Sequence, residues 1–174
     1  MKRFLIVVDM QKDFVDGALG SSEACAIVPA AAEKIRSFAG EIFVTFDTHF
    51  DNYMETAEGR KLPVPHCIKD SDGWQLSDDI ADALSGRNFT AVEKYTFGSV
   101  KLPELIRKSA GSDDISIELI GLCTDICVVS NALLLKASFP EAEIAVDEKC
   151  CAGVTPAKHE AALETMRSCQ IDII

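Results

Sequence analysis

Four short apolar runs in this 174-residue chain are each followed by side chains that could do chemistry. Asp9 ends RFLIVVD, and Lys94 ends FTAVEK. Asp47 and His49 follow a third run, and Cys127 lies shortly after a fourth. A thiol beside a carboxylate and an ammonium group could act as a nucleophile, and a carboxylate with an imidazole could bind a metal ion. Each residue alone is more often a cap, a surface charge or a core cysteine.

The segment GLCTDICV offers two cysteines, Cys123 and Cys127. If Thr124 or Asp125 caps the helix that follows, Cys127 lies in its first turn, where free N–H groups and the helix dipole stabilise a thiolate. Cys123 lies in the connection before that helix. Position alone leaves Cys127 about equally open to a functional role and to a place in the core.

Six β-type runs alternate with helical patterns along the whole chain. The predicted strands are 3–9, 41–47, 89–94, 115–121, 142–150 and the closing QIDII. The predicted helices are a stretch from Pro29 to Gly40, then 75–86, 101–111, 124–138 and 155–168. This alternation predicts a single domain, residues 1–174, with a three-layer α/β/α doubly wound fold and a mainly parallel six-stranded sheet. Ligands of such sheets bind at the carboxyl ends of the strands, where the chemical side chains listed above converge.

The composition excludes several classes of partner. The formal net charge of −11 disfavours nucleic acid and anionic membranes. No apolar run is long enough to span a bilayer, and Asp9 interrupts the only N-terminal apolar run, so we expect a cytoplasmic protein. Neither a G-x-G-x-x-G sequence after the first strand nor a phosphate-binding P-loop sequence is present.

Three motifs together, VVDMQKDF, VEKYTFGS and GLCTDICV, resemble those of the isochorismatase-like cysteine hydrolases, in particular the nicotinamidase branch. The resemblance extends over nearly the whole chain. It implies that Cys127 is the nucleophile, Asp9 the general base and Lys94 the third member of a catalytic triad. It also implies a cis peptide bond before Cys123, and an oxyanion hole made by the backbone N–H groups of Cys123 and Cys127.

A metal site is the second implication of the resemblance. Asp47 and His49 project to the same side of an extended segment, and His66 follows two prolines in LPVPHC. Better-known nicotinamidases use a third histidine as ligand; this chain offers Glu58, our choice, or Glu55 instead. Two carboxylates and two imidazoles suit Zn²⁺, or alternatively Mn²⁺ or Fe²⁺.

The predicted activity is hydrolysis of nicotinamide to nicotinate and ammonia through a thioester on Cys127, by a homo-oligomer (dimer or larger) with no partner beyond a small amide substrate. Phe14 and Phe97 are candidate pocket walls, as are three further aromatic residues: Tyr53, Trp74 and Tyr95. One alternative is hydrolysis of another small amide, a ureido or carbamoyl compound or a vinyl ether, because several such relatives have the triad without the metal. A non-catalytic binding or redox-sensing protein ranks lowest.

Overall fold

A single six-stranded sheet forms the centre of the protein, as seen in a computed structural model that describes residues 1–174. The strands are β1 Lys2–Val8, β2 Glu41–Asp47, β3 Phe89–Lys94, β4 Ile115–Leu122, β5 Glu143–Ala152 and β6 Asp172–Ile173. All neighbouring strands pair in parallel, in the order β3-β2-β1-β4-β5-β6. The predicted fold class is therefore confirmed, with a sheet that is entirely parallel.

Helices cover both faces of the sheet and complete the three layers. They are α1 Lys12–Val15, α2 Ser22–Ser37, α3 Ala57–Lys61, α4 Asp78–Leu84, α5 Leu102–Ala110, α6 Val129–Ser138 and α7 Pro156–Ser168. Side chains of α2 and α4 pack into one hydrophobic core, and side chains of α5, α6 and α7 pack into a second core on the other face. None of the helices is long and apolar enough to cross a membrane.

Helix α2 begins earlier than the sequence pattern predicted. It starts at Ser22, after Ser21, whose hydroxyl accepts a hydrogen bond from Ala24 N as an N-cap, so Pro29 lies inside the helix. An internal proline costs a helix about 3 kcal/mol because it removes one backbone hydrogen bond. The apolar face continues on both sides of Pro29 and is buried from Ala24 to Ile35, and this packing offsets the cost.

The strand order reverses beside β1, whose neighbours are β2 and β4. At such a switch point the two connections leave in opposite directions, and a crevice opens at the carboxyl ends of the strands. Asp9 is the first residue after β1, while Asp47 and Lys94 are the last residues of β2 and β3. Cys127 lies in a π-helical turn, Thr124–Val128, directly beyond β4. The topology therefore brings the predicted site residues to one edge of the sheet.

Gly121 on β4 pairs with Val8, the last residue of β1. Its φ of +118° is unfavourable for other residues, and a Cβ there would overlap the carbonyl oxygen of Val8.

We expect Gly121→Ala to lower the free energy of unfolding by about 3 kcal/mol or more. Gly86 also has a positive φ, +75°, but its Cβ would meet nothing within 4 Å. Gly86→Ala should cost only about 1–2 kcal/mol. Urea unfolding of both variants measures the difference, and equal losses would contradict the steric argument.

Candidate active site and metal centre

Asp9, Lys94 and Cys127 meet beneath the surface at the carboxyl edge of the sheet; we refer to them as the buried triad. They are 0%, 3% and 4% exposed. The ammonium nitrogen of Lys94 lies 2.7 Å from Asp9 Oδ2 and 3.4 Å from Cys127 Sγ. The structure thus brings together three residues that are far apart in sequence, in an arrangement suited to proton transfer from the thiol.

The carboxylate of Asp9 is held in place from two sides. The residue has a φ of +47°, which turns the chain sharply out of β1. The hydroxyl of Thr45 on β2 donates to Asp9 Oδ1 at 2.6 Å, while Asp9 N donates to that hydroxyl at 3.2 Å. The other carboxylate oxygen faces Lys94. Asp9 is therefore oriented by the protein before any substrate binds.

The surroundings of the Cys127 thiol disfavour its thiolate, whereas a helix N-terminus was expected to stabilise it. Burial raises its pKa well above the usual range, the Asp9 carboxylate raises it further, and Lys94 opposes both. Burial also raises the pKa of Asp9, against the lowering effect of Lys94. For Lys94, burial acts to lower the pKa, but Asp9, Cys127 and Asp47 raise it well above its usual value. The ammonium is thus the fixed charge of the triad.

The turn that carries Cys127 differs from the capped helix that was predicted. Neither Thr124 nor Asp125 caps it: Thr124 Oγ1 lies 2.8 Å from His159 Nδ1, and Asp125 Oδ1 accepts from Val154 N. These contacts tie the turn to the chain around the start of α7. The Leu122–Cys123 peptide bond is cis, and the N–H of Cys123 has no acceptor within the protein. That N–H is free to donate to a ligand.

Four side chains beside the triad form a second group, which we call the carboxylate–imidazole cluster: Asp47, His49, Glu58 and His66. Their donor atoms all lie within 4.8 Å of one another. His49 Nε2 is 3.0 Å from Asp47 Oδ2 and 3.7 Å from Glu58 Oε1. His66 Nε2 is 3.6 Å and 3.8 Å from the same two oxygens. Such separations match those between ligands that share one metal ion about 2.1 Å away.

The surroundings of the imidazoles also fit a metal site. His66 Nδ1 donates to the carbonyl of Val64 at 2.8 Å, so in the neutral ring the free lone pair is on Nε2, which faces the cluster. Tyr53 packs its ring 4.7 Å from the His49 ring and 5.1 Å from the His66 ring, and its hydroxyl donates to Leu62 O. The donor set and the packing behind the rings therefore fit a candidate site for a divalent ion.

Glu58, rather than the alternative Glu55, is the carboxylate that reaches the imidazoles. Glu58 lies in the first turn of α3, after the N-cap Thr56, whereas Glu55 ends the preceding 3₁₀ turn.

We expect Glu58→Gln to weaken Zn²⁺ binding by at least about tenfold, because the centre loses one charged ligand. Glu55→Gln is the matched control and should leave the affinity unchanged. Competition with a chelator measures both, and a larger effect of Glu55→Gln would reverse the assignment.

The aromatic residues predicted as pocket walls occupy different positions. Phe14 is half-buried, and its ring centre is 5.4 Å from that of His66, at the cluster. Trp74 is also half-buried, and its indole N–H donates to Thr48 Oγ1. Phe97 and Tyr95 are 43% and 55% exposed. Tyr53 is buried behind the imidazoles. Of the predicted walls, Phe14 and Tyr53 are therefore the two whose rings pack against the imidazoles of the cluster.

Two surface clefts lie away from the buried triad. Their volumes are about 630 and 660 Å³, and no residue of the triad lines either of them. The first lies at the opposite edge of the sheet, around the starts of β4 and β5, and the second lies between α1, α2 and the start of α4.

Two buried amide side chains at the site were missed by the sequence interpretation. The Gln11 side chain accepts a hydrogen bond from Asp47 N and donates one to Asp47 O. Asn131 accepts from Ser99 N and donates to Cys127 O, which joins the loop after β3 to the cysteine turn. Gln11 lies in the motif VVDMQKDF, so the sequence did contain a signal for it. For Asn131, its spacing of four residues from Cys127 was the only signal.

Comparisons with known proteins agree with this geometry. A protein-family model described as the isochorismatase domain matches residues 3–174. The nicotinamidase/pyrazinamidase of Mycobacterium tuberculosis is 24% identical over 99% of this chain and 98% of its own.

Among the similar solved structures, two that are each 26% identical to this chain show the range of activities. The pyrazinamidase of Pyrococcus horikoshii in complex with zinc has a TM-score of 0.84 and covers 100% of this chain and 99% of its own. The N-carbamoylsarcosine amidase of Thermoplasma acidophilum has a TM-score of 0.75 and covers 99% and 95%. The family resemblance inferred from the three motifs is confirmed.

Proposed function

The chain belongs to the isochorismatase family, and from this premise we propose that it is a metal-containing cysteine amidohydrolase that converts nicotinamide to nicotinate and ammonia. The observation that carries the proposal is the carboxylate–imidazole cluster directly beside the buried triad. The pyrazinamidase crystallised with zinc supports it. The same proposal includes a single domain over residues 1–174, a cytoplasmic location and a homo-oligomeric assembly.

The reaction begins with proton transfer from the Cys127 thiol to the Asp9 carboxylate as Sγ attacks the amide carbonyl carbon. The backbone N–H groups of Cys123 and Cys127 donate to the oxygen that becomes negative. Lys94 stays charged and offsets the negative charge that moves between the thiol and the carboxylate. Because burial excludes water, these interactions are stronger than they would be at the surface.

The second half of the reaction reverses the proton transfer. Asp9 gives its proton to the departing amine, so ammonia leaves and a thioester remains on Cys127. Asp9 then takes a proton from a water molecule, whose oxygen attacks the thioester carbonyl. The product leaves as nicotinic acid as the Asp9 proton returns to the Cys127 sulfur. The acid then ionises to nicotinate, and its proton converts the ammonia to ammonium. The atoms balance with water as the only co-reactant.

Asp47, His49, Glu58 and His66 are the residues that would hold the metal, which we propose to be Zn²⁺ or alternatively Mn²⁺ or Fe²⁺. When bound, the ion supplies a Lewis-acid position for the ring nitrogen of a pyridine substrate. Phe14, whose ring approaches His66, would contact one face of the same ring, and Phe97 would lie at the rim.

A second candidate function is hydrolysis of a carbamoyl or ureido compound, favoured by the similarity to N-carbamoylsarcosine amidase. Its substrates have no ring nitrogen, so the carboxylate–imidazole cluster would have no part in binding them.

The test is ammonia release by Zn²⁺-loaded protein from nicotinamide, compared with N-carbamoyl amino acids and ureido compounds. We expect turnover of nicotinamide that is lost on chelation and restored by added Zn²⁺. No ammonia from nicotinamide, together with turnover of a carbamoyl compound that survives chelation, would overturn the proposal in favour of the second candidate.

A further inference from the structure

Asp47 belongs to both groups of side chains at the site. Its Oδ2 faces the imidazoles, 3.0 Å from His49 Nε2 and 3.6 Å from His66 Nε2. Its Oδ1 lies 3.0 Å from the ammonium of Lys94. One carboxylate, almost fully buried, is therefore shared between the carboxylate–imidazole cluster and the buried triad.

The backbone of Asp47 is fixed, so the carboxylate stays between the two groups. The fully buried side chain of Gln11 accepts from Asp47 N at 2.8 Å and donates to Asp47 O at 2.9 Å. The same amide nitrogen also donates to Trp74 O at 2.9 Å. At this level β1 has already ended, and the Gln11 side chain makes the hydrogen bonds to Asp47 that a neighbouring strand would otherwise make. These bonds hold Asp47 between the cluster and the triad.

Lys94 is consequently placed between two carboxylates, 2.7 Å from Asp9 Oδ2 and 3.0 Å from Asp47 Oδ1. A metal ion in the cluster would share Asp47 with this ammonium. Like charges repel, so Lys94 disfavours the ion, while the negative charge of Asp9 favours it. In a buried site such interactions are only weakly screened by water and salt.

We propose that the charges of Lys94 and Asp9 set the metal affinity of the cluster through the shared carboxylate of Asp47, with Lys94 weakening and Asp9 strengthening binding. This inference rests on the proposed function, because it takes the cluster to be a metal centre.

The test compares Zn²⁺ dissociation constants, measured by competition with a chromophoric chelator and without any substrate. We expect Lys94→Met to bind Zn²⁺ about tenfold more tightly than wild type, and Asp9→Asn about tenfold more weakly. Lys108→Met is the matched control, because it removes the same charge from an exposed position near the end of α5, toward the opposite sheet edge. It should leave the affinity unchanged.

Lys94→Met leaves the carboxylates of Asp9 and Asp47 without the cation between them, so this variant could unfold. The test is therefore repeated in the background of Asp9→Asn. Asp9→Asn combined with Lys94→Met should bind Zn²⁺ about tenfold more tightly than Asp9→Asn alone. Equal affinities in all variants, or weaker binding on loss of Lys94, would overturn the inference while the metal centre itself stands. Wild-type protein that binds no Zn²⁺ would overturn the metal centre, and this inference with it.

Discussion

Cys127→Ala will release no measurable ammonia from nicotinamide, a loss of at least about 10⁴-fold, because the variant has no atom that can form the thioester. The sulfur of Cys127 is the only thiol of the chain within hydrogen-bonding distance of Lys94. The alanine fills the same buried position, so the fold should be kept. A coupled assay for ammonia on metal-loaded protein measures the effect.

Cys123→Ala is the matched control for this loss. Cys123 lies four residues earlier, at the N-cap of the turn that carries Cys127, and the proposed mechanism uses only its backbone N–H. Its side chain packs against the hydrophobic core that contains α2 and α4, and burial raises the pKa of its thiol to about 12. Activity should stay within about tenfold of wild type. If Cys123→Ala were inactive and Cys127→Ala active, the two cysteines would have exchanged roles.

The position of the site could be predicted from the sequence because a parallel sheet places the carboxyl ends of its strands at one edge. Asp9, Asp47 and Lys94 each stand at the end of an apolar run, and Cys127 follows a fourth. Recognising these four runs as neighbouring parallel strands was sufficient to bring the residues together. In the order β3-β2-β1-β4 these four strands are adjacent, so the residues at their carboxyl ends lie close together.

The charge state of the site could not be predicted in the same way. A helix N-terminus suggested a thiolate at Cys127, but the pKa of a thiol depends on burial and on the nearest charge. Here the nearest carboxylate, Asp9, comes from a residue 118 positions earlier in the chain. Its distance from the sulfur depends on the packed structure, which the sequence pattern does not give.

The loop from residue 48 to 74 shows the same limit. Its polar sequence has no periodicity, and the choice between Glu55 and Glu58 depends on a 3₁₀ turn and the short α3. The bridging position of Asp47 also follows from side-chain geometry alone. Sequence reasoning therefore identified the ligand types, while the pairing of Asp47 with Lys94 needed coordinates.

Asp9→Asn is expected to change two properties of the protein in opposite directions. Ammonia release from nicotinamide should fall by about 10³-fold or more, because asparagine does not accept the thiol proton. Alkylation of Cys127 by iodoacetamide at pH 7 should become faster. Burial keeps the thiol pKa high, and the Asp9 carboxylate raises it further. Removing that carboxylate lowers the pKa and increases the thiolate fraction, which is the reactive form. Peptide mass spectrometry of the Cys127 peptide measures the rate.

The buried cysteines elsewhere in the chain are the internal control for this experiment. Cys67 and Cys150 are both buried, and burial raises the pKa of the Cys150 thiol to about 12. Faster alkylation confined to Cys127 would show that Asp9→Asn keeps the fold, whereas faster alkylation of all three would indicate unfolding.

If Asp9 is the general base, ammonia release falls while alkylation of Cys127 becomes faster. Slower alkylation together with lost hydrolysis would make Asp9 a structural support of the turn. Faster alkylation in a protein whose wild type hydrolyses none of the amide, carbamoyl or ureido compounds tested would instead favour a redox-sensing thiol.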